Sequence, residues 1–340
     1  MYQIISPKMK NKVWRMLYVV GTTFLLLGSC VSKETPIHEK GKRKKALTAE
    51  QIPIQPLIDP DQMVMCGDYL VTCSSRCDTL LSFFLCDSLK FSFGKGSKGE
   101  GPEDFTSPWL YNSFDQHLYV RGYSKANITA AFGIADKDYT PVKRYLQTNA
   151  LLGLNFGTVL SNDILVGYKH DADIAIWIYD LARDTLLQRT TLELNEHIKE
   201  DFYQENRGMT AATAQGTIAY AYRYKNQIDF LRVNEEGKTL QIIQRIGDKQ
   251  NTNTSFVNNQ DLKPYYTNIT STKDKFYALC QNGNANSQWE LEVYSSEGEP
   301  VITYTFDIAP VLLCIDEKNH YIYGYRYDMP DTFLRYQLDK

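Results

Sequence analysis

One short strand phrase returns three times in this chain: Leu165-Val166-Gly167-Tyr168-Lys169-His170, Ala219-Tyr220-Ala221-Tyr222-Arg223-Tyr224 and Ile322-Tyr323-Gly324-Tyr325-Arg326-Tyr327. Each copy follows a polar turn and precedes a second apolar-alternating run, so the copies mark repeated units of one β architecture. Turn signals such as Cys66-Gly67-Asp68, Asp115-Gln116-His117, Ser161-Asn162-Asp163, Gln215-Gly216, Thr272-Lys273-Asp274 and Glu317-Lys318-Asn319 each lie between a pair of short β-type runs. Long amphipathic helical patterns are nearly absent. The body, residues 51–340, is predicted to be all-β.

Laid out on these turns, the chain divides into six units of four strands. The first runs Gln62–Val64, Tyr69–Cys73, Leu80–Cys86 and Leu89–Phe93, and the third Phe156–Leu160, Ile164–Tyr168, Ile174–Tyr179 and Leu186–Thr191. The sixth supplies Val311–Ile315, Tyr321–Arg326 and Phe333–Leu338 and ends one strand short, while the alternating run Ile52–Leu57 has no unit of its own. The expectation is a six-bladed β-propeller of four-stranded antiparallel blades, the last closed by the N-terminal strand. A lone four-stranded sheet cannot bury both faces, whereas a ring of sheets buries each against its neighbour and leaves only short edges. The structural rival is a pair of immunoglobulin-like sandwiches.

The first thirty residues bear on compartment. Lys8, Lys10, Lys12 and Arg15 precede an apolar run, Met16 to Leu27, too short for the ~20 residues of a spanning helix. It reads as a secretory signal over residues 1–29. The closing Leu27-Gly28-Ser29-Cys30 resembles the lipobox of bacterial lipoproteins, which implies lipidation at Cys30 and attachment to the outer membrane, with the periplasmic or surface side open. Residues 30–50, with Lys40, Lys42, Arg43, Lys44 and Lys45, read as a flexible basic tether. Removing residues 1–29 takes away four of the 37 Lys and Arg and none of the 40 Asp and Glu. The acidic remainder argues against nucleic acid as a partner.

A second resemblance lies in the loop from Phe93 to Pro108, where Gly94, Gly96, Gly99 and Gly101 lead into Gly101-Pro102-Glu103-Asp104-Phe105-Thr106-Ser107-Pro108. This resembles the glycine-rich connection between blades of NHL-type six-bladed propellers, and the chain is similar to the TolB-like propeller lipoproteins of Bacteroidetes. The resemblance implies a propeller lipoprotein without an assigned activity. As a phosphate loop the segment fails, because Pro102, Pro108 and the strand beginning at Phe105 leave no helix N-terminus to face an anion.

The recurrent cation at the end of the second strand is the best functional clue. Lys169, Arg223 and Arg326 occupy it in three units and Arg121 sits one register position earlier in a fourth. Those strand ends share a face with the connections between blades, so Lys95 and Lys98 are expected on the same rim. Tyr123, His170, Tyr224 and Tyr327 would add aromatic surface. Arginines grip carboxylates bidentately and aromatic rings suit sugars or extended peptides, so the rim fits a glycan, peptide or protein partner. The alternative reading pairs these cations with acids such as Asp171 and Asp328.

Catalysis finds less support. Asn112, Asp115, Asn162, Asn268, Asp274 and Asp316 are the polar candidates on or beside first strands, mostly at turns, and no metal or cofactor motif appears. The histidines, His38, His117, His170, His197 and His320, show no metal-ligand spacing. The alternative function is a channel-centred hydrolase, such as a lactonase or glycan hydrolase. Cys66, Cys73, Cys77, Cys86, Cys280 and Cys314 are expected to form at most one or two disulfides, within the first unit.

Overall fold

The structure is a computed structural model that describes residues 37–38, 43–135, 137–147, 154–170, 174–192, 206–233, 239–247, 264–281 and 288–339. The signal segment, Cys30, Lys40, Lys42 and Asp171 lie outside the described residues.

Three short strands, β1 (Ile37–His38), β2 (Lys44–Leu47) and β3 (Glu50–Pro53), precede a series of antiparallel meanders. The first meander is β4 (Gln62–Cys66), β5 (Tyr69–Cys73), β6 (Leu81–Leu85) and β7 (Phe91–Lys95). The second is β8 (Phe105–Ser113), β9 (His117–Tyr123), β10 (Ile128–Ala135) and β11 (Asp138–Leu146), and the third β12 (Asn155–Leu160), β13 (Ile164–His170), β14 (Ile174–Asp180) and β15 (Thr185–Thr191). The fourth is β16 (Gly208–Ala212), β17 (Ile218–Tyr222), β18 (Gln227–Val233) and β19 (Leu240–Gly247). The fifth is β20 (Tyr266–Ser271), β21 (Lys275–Gln281), β22 (Trp289–Ser295) and β23 (Pro300–Phe306). The last is β24 (Leu312–Asp316), β25 (Tyr321–Tyr325) and β26 (Thr332–Gln337), and its fourth strand is β3, antiparallel with Thr332 opposite Pro53 and Arg335 opposite Glu50.

The protein is thus nearly all β, in four-stranded antiparallel sheets, consistent with a β-propeller. First strands touch in succession: β4 with β8, β8 with β12, β12 with β16, β16 with β20, β20 with β24, and β24 with β4. The contact of β8 with β12 includes parallel pairing, Thr158 opposite Asn112, which fuses the second and third meanders into one sheet.

Burial follows the two-residue period of the strands. In β17 every residue is buried, with Ile218, Tyr220 and Tyr222 turned toward the third meander and Ala219 and Ala221 toward the fifth. The larger residues fill one gap between sheets and the alanines let the other close. The first and last meanders are joined in the same way, by Met63, Leu70 and Phe84 against Tyr323, Tyr325 and Phe333.

Two expectations are corrected. Lys44 and Lys45 do not belong to a flexible tether: β2 runs parallel to β23, with Lys44 opposite Thr303 and Leu47 opposite Phe306. Leu47 is buried in the core of the fifth and last meanders, and the Lys44 ammonium lies 2.7 Å from the Glu290 carboxylate. Buried apolar area and a charged partner overcome the low apolar content of the segment. All six body cysteines are free thiols. In the β4–β5 hairpin Cys66 is opposite Tyr69 and Cys73 opposite Gln62, so the register sends these two thiols to opposite ends.

Candidate binding site at the channel mouth

The first strands β4, β8, β12, β16, β20 and β24 enclose a cavity of about 400 Å³. Its wall is apolar and small polar, with Val64, Asn112, Thr158, Thr210, Asn268 and Thr270 among the lining residues. At the end where these strands begin, the wall carries Asp61, Trp109, Phe156, Arg223 and Trp289.

Local geometry positions each of these groups. Trp109 lies opposite Arg121 in the β8–β9 register, and the Arg121 guanidinium sits 5.9 Å from the centre of its ring. The Phe156 ring meets Trp109 edge-on at 6.0 Å and stacks on Tyr168, with centroids 6.0 Å apart. Arg223 directly follows β17, where its backbone N–H donates to the Arg207 carbonyl just ahead of β16 at 2.7 Å. Trp289 opens β22, opposite Gln281 at the end of β21.

The electrostatics of this end are one-sided. The Nε–H of Arg223 is buried without a hydrogen-bond partner. Burial raises the Tyr168 hydroxyl pKa, and the charges of Arg207 and Arg223 act against that shift. Among the described residues neither arginine forms an ion pair with a carboxylate. Asp61 is the single carboxylate among the lining residues, and it already accepts from the Ser75 backbone N–H at 2.8 Å and from the Ser75 hydroxyl.

The residues singled out from sequence have diverse surroundings. Arg223 lines the cavity, with Tyr224 half-buried beside it and its ring 5.9 Å from the guanidinium. Arg121 stands behind Trp109 and donates to the Leu154 carbonyl at 2.9 Å. Lys169 lies over the Trp177 ring at 5.2 Å, and His170 ends β13 with its side chain outside the described residues. Arg326 grips Asp328 through two hydrogen bonds of 2.8 and 2.7 Å and donates to the Ala309 carbonyl, with Tyr327 exposed next to it. Lys95 faces Asp138 at 3.2 Å, and Lys98 is exposed in the glycine-rich loop. Tyr123 is a correction: it is 2% exposed and packs against Phe105 and Phe132, because Gly122, at φ +86°, breaks the alternation of β9 and turns it to the face of Leu118 and Val120.

Trp109, Phe156, Arg207 and Trp289 do not stand out in the sequence, because a large aromatic at the start of a strand reads as core. Of the polar candidates for catalysis, Asn112 and Asn268 line the cavity. Asp115 is held in the β8–β9 hairpin by His117 and Tyr119, and Asp316 in the β24–β25 hairpin by Asn319 and Tyr323. Both hairpins lie at the far ends of the first strands.

One buried group of potential metal ligands stands among the described residues: Cys280, Glu290 and Glu292, with ligand atoms within 4.8 Å of one another. Lys44 neutralises Glu290, and Glu292 accepts from the Tyr266 and Tyr294 hydroxyls at 2.8 Å each. None of the three lines the cavity.

No protein-family model matches the chain. No curated protein matches its sequence. Among solved structures it is similar to virginiamycin B lyase from Staphylococcus aureus, at 11% identity over 86% of this chain and 100% of that one, with a TM-score of 0.48. It is also similar to a luciferin-regenerating enzyme, at 9% identity over 85% of this chain and 95% of that one, TM-score 0.49. A third is BamB from Moraxella catarrhalis, at 11% identity over 81% of this chain and 71% of that one, TM-score 0.37.

Proposed function

We propose that this chain is a lipid-anchored, extracytoplasmic six-bladed β-propeller that binds a ligand at the mouth of its central channel. Each four-stranded meander counts as one blade, and the closed succession of touching first strands supports the ring. The anchor rests on Leu27-Gly28-Ser29-Cys30, and an outer-membrane location follows from it. The observation that carries the binding role is the composition of the channel wall. It combines an arginine that pairs with no carboxylate among the described residues and three large aromatics, against a single carboxylate already held by Ser75 and Arg76. A lactonase or glycan hydrolase needs converging acid, base or metal ligands, and the lining residues supply one carboxylate. The proposed partner is therefore a glycan or peptide bound without turnover.

Glycan and peptide arrays probed with the wild type and with Arg223→Ala test this reading. Binding that fades in the variant supports it. Turnover of lactones or aryl glycosides by the wild type would replace the binding role with an enzymatic one.

A further inference from the structure

We propose that the ligand of this mouth is a hexuronate, a pyranose ring carrying one carboxylate, either free or as the terminal residue of a glycan. The inference rests on the binding role above and specifies its ligand.

Charge selects the carboxylate. Arg223 lines the cavity and pairs with no carboxylate among the described residues, so a ligand carboxylate can take the terminal N–H groups of its guanidinium. The backbone bond from Arg223 to the Arg207 carbonyl sets a second cation beside the first, exposed and without a carboxylate partner among the described residues. A neutral ligand would leave this field unused. A phosphorylated sugar would bring a second negative charge close to Asp61, which shares the wall.

The wall selects a sugar over an aromatic acid. Trp109, Phe156 and Trp289 put aromatic surface on the wall, against which the C–H side of a pyranose can pack. Asn268 and Thr270 are half-buried in the wall, and no group among the described residues satisfies either side chain. Hydroxyls on the ligand would pair with them, whereas a hydrocarbon ring would cover them and strand their donors. A cavity of about 400 Å³ holds one or two sugar rings, within the range of small-molecule pockets, and is too small for a folded partner.

Calorimetry on the full chain tests this with five small probes: D-galacturonate, D-glucuronate, the parent sugars D-galactose and D-glucose, and phenylacetate. At least one hexuronate is expected to bind tenfold or more tightly than its parent sugar and than phenylacetate. Arg223→Gln should remove that advantage, and Arg223→Lys, which keeps charge but loses the fork, should remove most of it. Lys318→Ala, at an exposed ion pair with Asp68 in the far hairpin, should leave it intact. A trigalacturonate bound more tightly than the monomer identifies a chain end as the source, and equal affinity identifies the free sugar.

No heat with either hexuronate, equal affinity for acid and parent sugar, or unchanged binding in a folded Arg223→Gln variant overturns the inference. Neutral sugars bound by the wild type as tightly as the hexuronates would end the hexuronate assignment and leave the binding role standing. Cleavage of the trigalacturonate would end both.

Discussion

Arg245 and Asp229 form a fork-to-fork ion pair inside the fourth meander, both nearly sealed from solvent. Tyr222 and Gln227 also donate to the same carboxylate, at 2.9 and 3.0 Å. The carboxylate is thus satisfied on both oxygens. Asp229→Ala would take this carboxylate from a buried guanidinium and leave the Tyr222 and Gln227 donors without their acceptor, at a cost of about 3–5 kcal/mol. Replacing both partners by apolar residues, Asp229→Leu with Arg245→Met, should recover most of that loss. Urea unfolding of the three proteins measures this, and a loss below about 1 kcal/mol in the single variant would show that the pair is not a keystone of this sheet.

Gly122 separates Arg121, which backs the channel mouth, from the inward Tyr123. Its φ is +86°, and a Cβ there would stand 2.5 Å from the Ser107 carbonyl oxygen. The obstacle is backbone, which cannot swing aside. Gly122→Ala is expected to cost about 2–4 kcal/mol, from the left-handed conformation and the clash together. Denaturant unfolding gives the figure. Because Arg121 lies against Trp109, a shift in tryptophan emission should accompany it.

The recurring strand phrase made much of this architecture legible. Its three copies fall on β13, β17 and β25, the second strand of their meanders, the last two running past the strand end. Alternation marked strand bodies well because the two faces fill different gaps, large residues on one side of β17 and alanines on the other, so a one-residue slip would exchange them. What could not be read was pairing between chain segments distant in sequence. β2 lies along β23 across some 250 residues, and a charged run gives no sign of such docking. The site was half legible for the same reason. Arg223 stood out as a repeated cation, but Arg326 differs from it only in having Asp328 two residues on, which captures its guanidinium. Trp289 reaches the cavity from the third strand of its meander, where sequence reasoning looks only at first and second strands.

Closure of the last meander by β3 makes a clean test of the ring. Ile52 lies opposite Phe333, and Arg335 donates to both Glu50 oxygens at 2.8 and 2.9 Å. Removing residues 1–53 would expose the edge of β26 and should lower the melting temperature by about 10 °C, the effect of roughly 3–5 kcal/mol in a domain this size. Removing residues 1–43 keeps β2 and β3 and should cost far less. Scanning calorimetry separates them, and equal melting points would show that β3 is dispensable.

Alkaline pH should unfold this protein sharply. Burial pushes the Cys66 and Cys73 thiols up to about 12, with Asp115 and Asp61 respectively adding to the shift, and it pushes the Tyr325 hydroxyl to about 12 as well. Burial, with Asp229 or Glu292 nearby, raises the Tyr220, Tyr222, Tyr266 and Tyr294 hydroxyls well above the ordinary phenol value. A group whose folded pKa is raised keeps its proton in the native state and loses it in the unfolded one. Its stabilising contribution is therefore complete below the unfolded pKa, near 8.5 for Cys and 10 for Tyr, and declines as pH climbs toward the folded value. Stability is expected to fall from about pH 9 and collapse before pH 12. Absorbance at about 295 nm should show exposed tyrosines ionising reversibly near pH 10, and a second, cooperative step in which the buried ones ionise together with loss of the circular dichroism of the sheets. A single smooth titration of all 24 tyrosines with the dichroism intact would contradict the buried phenol network.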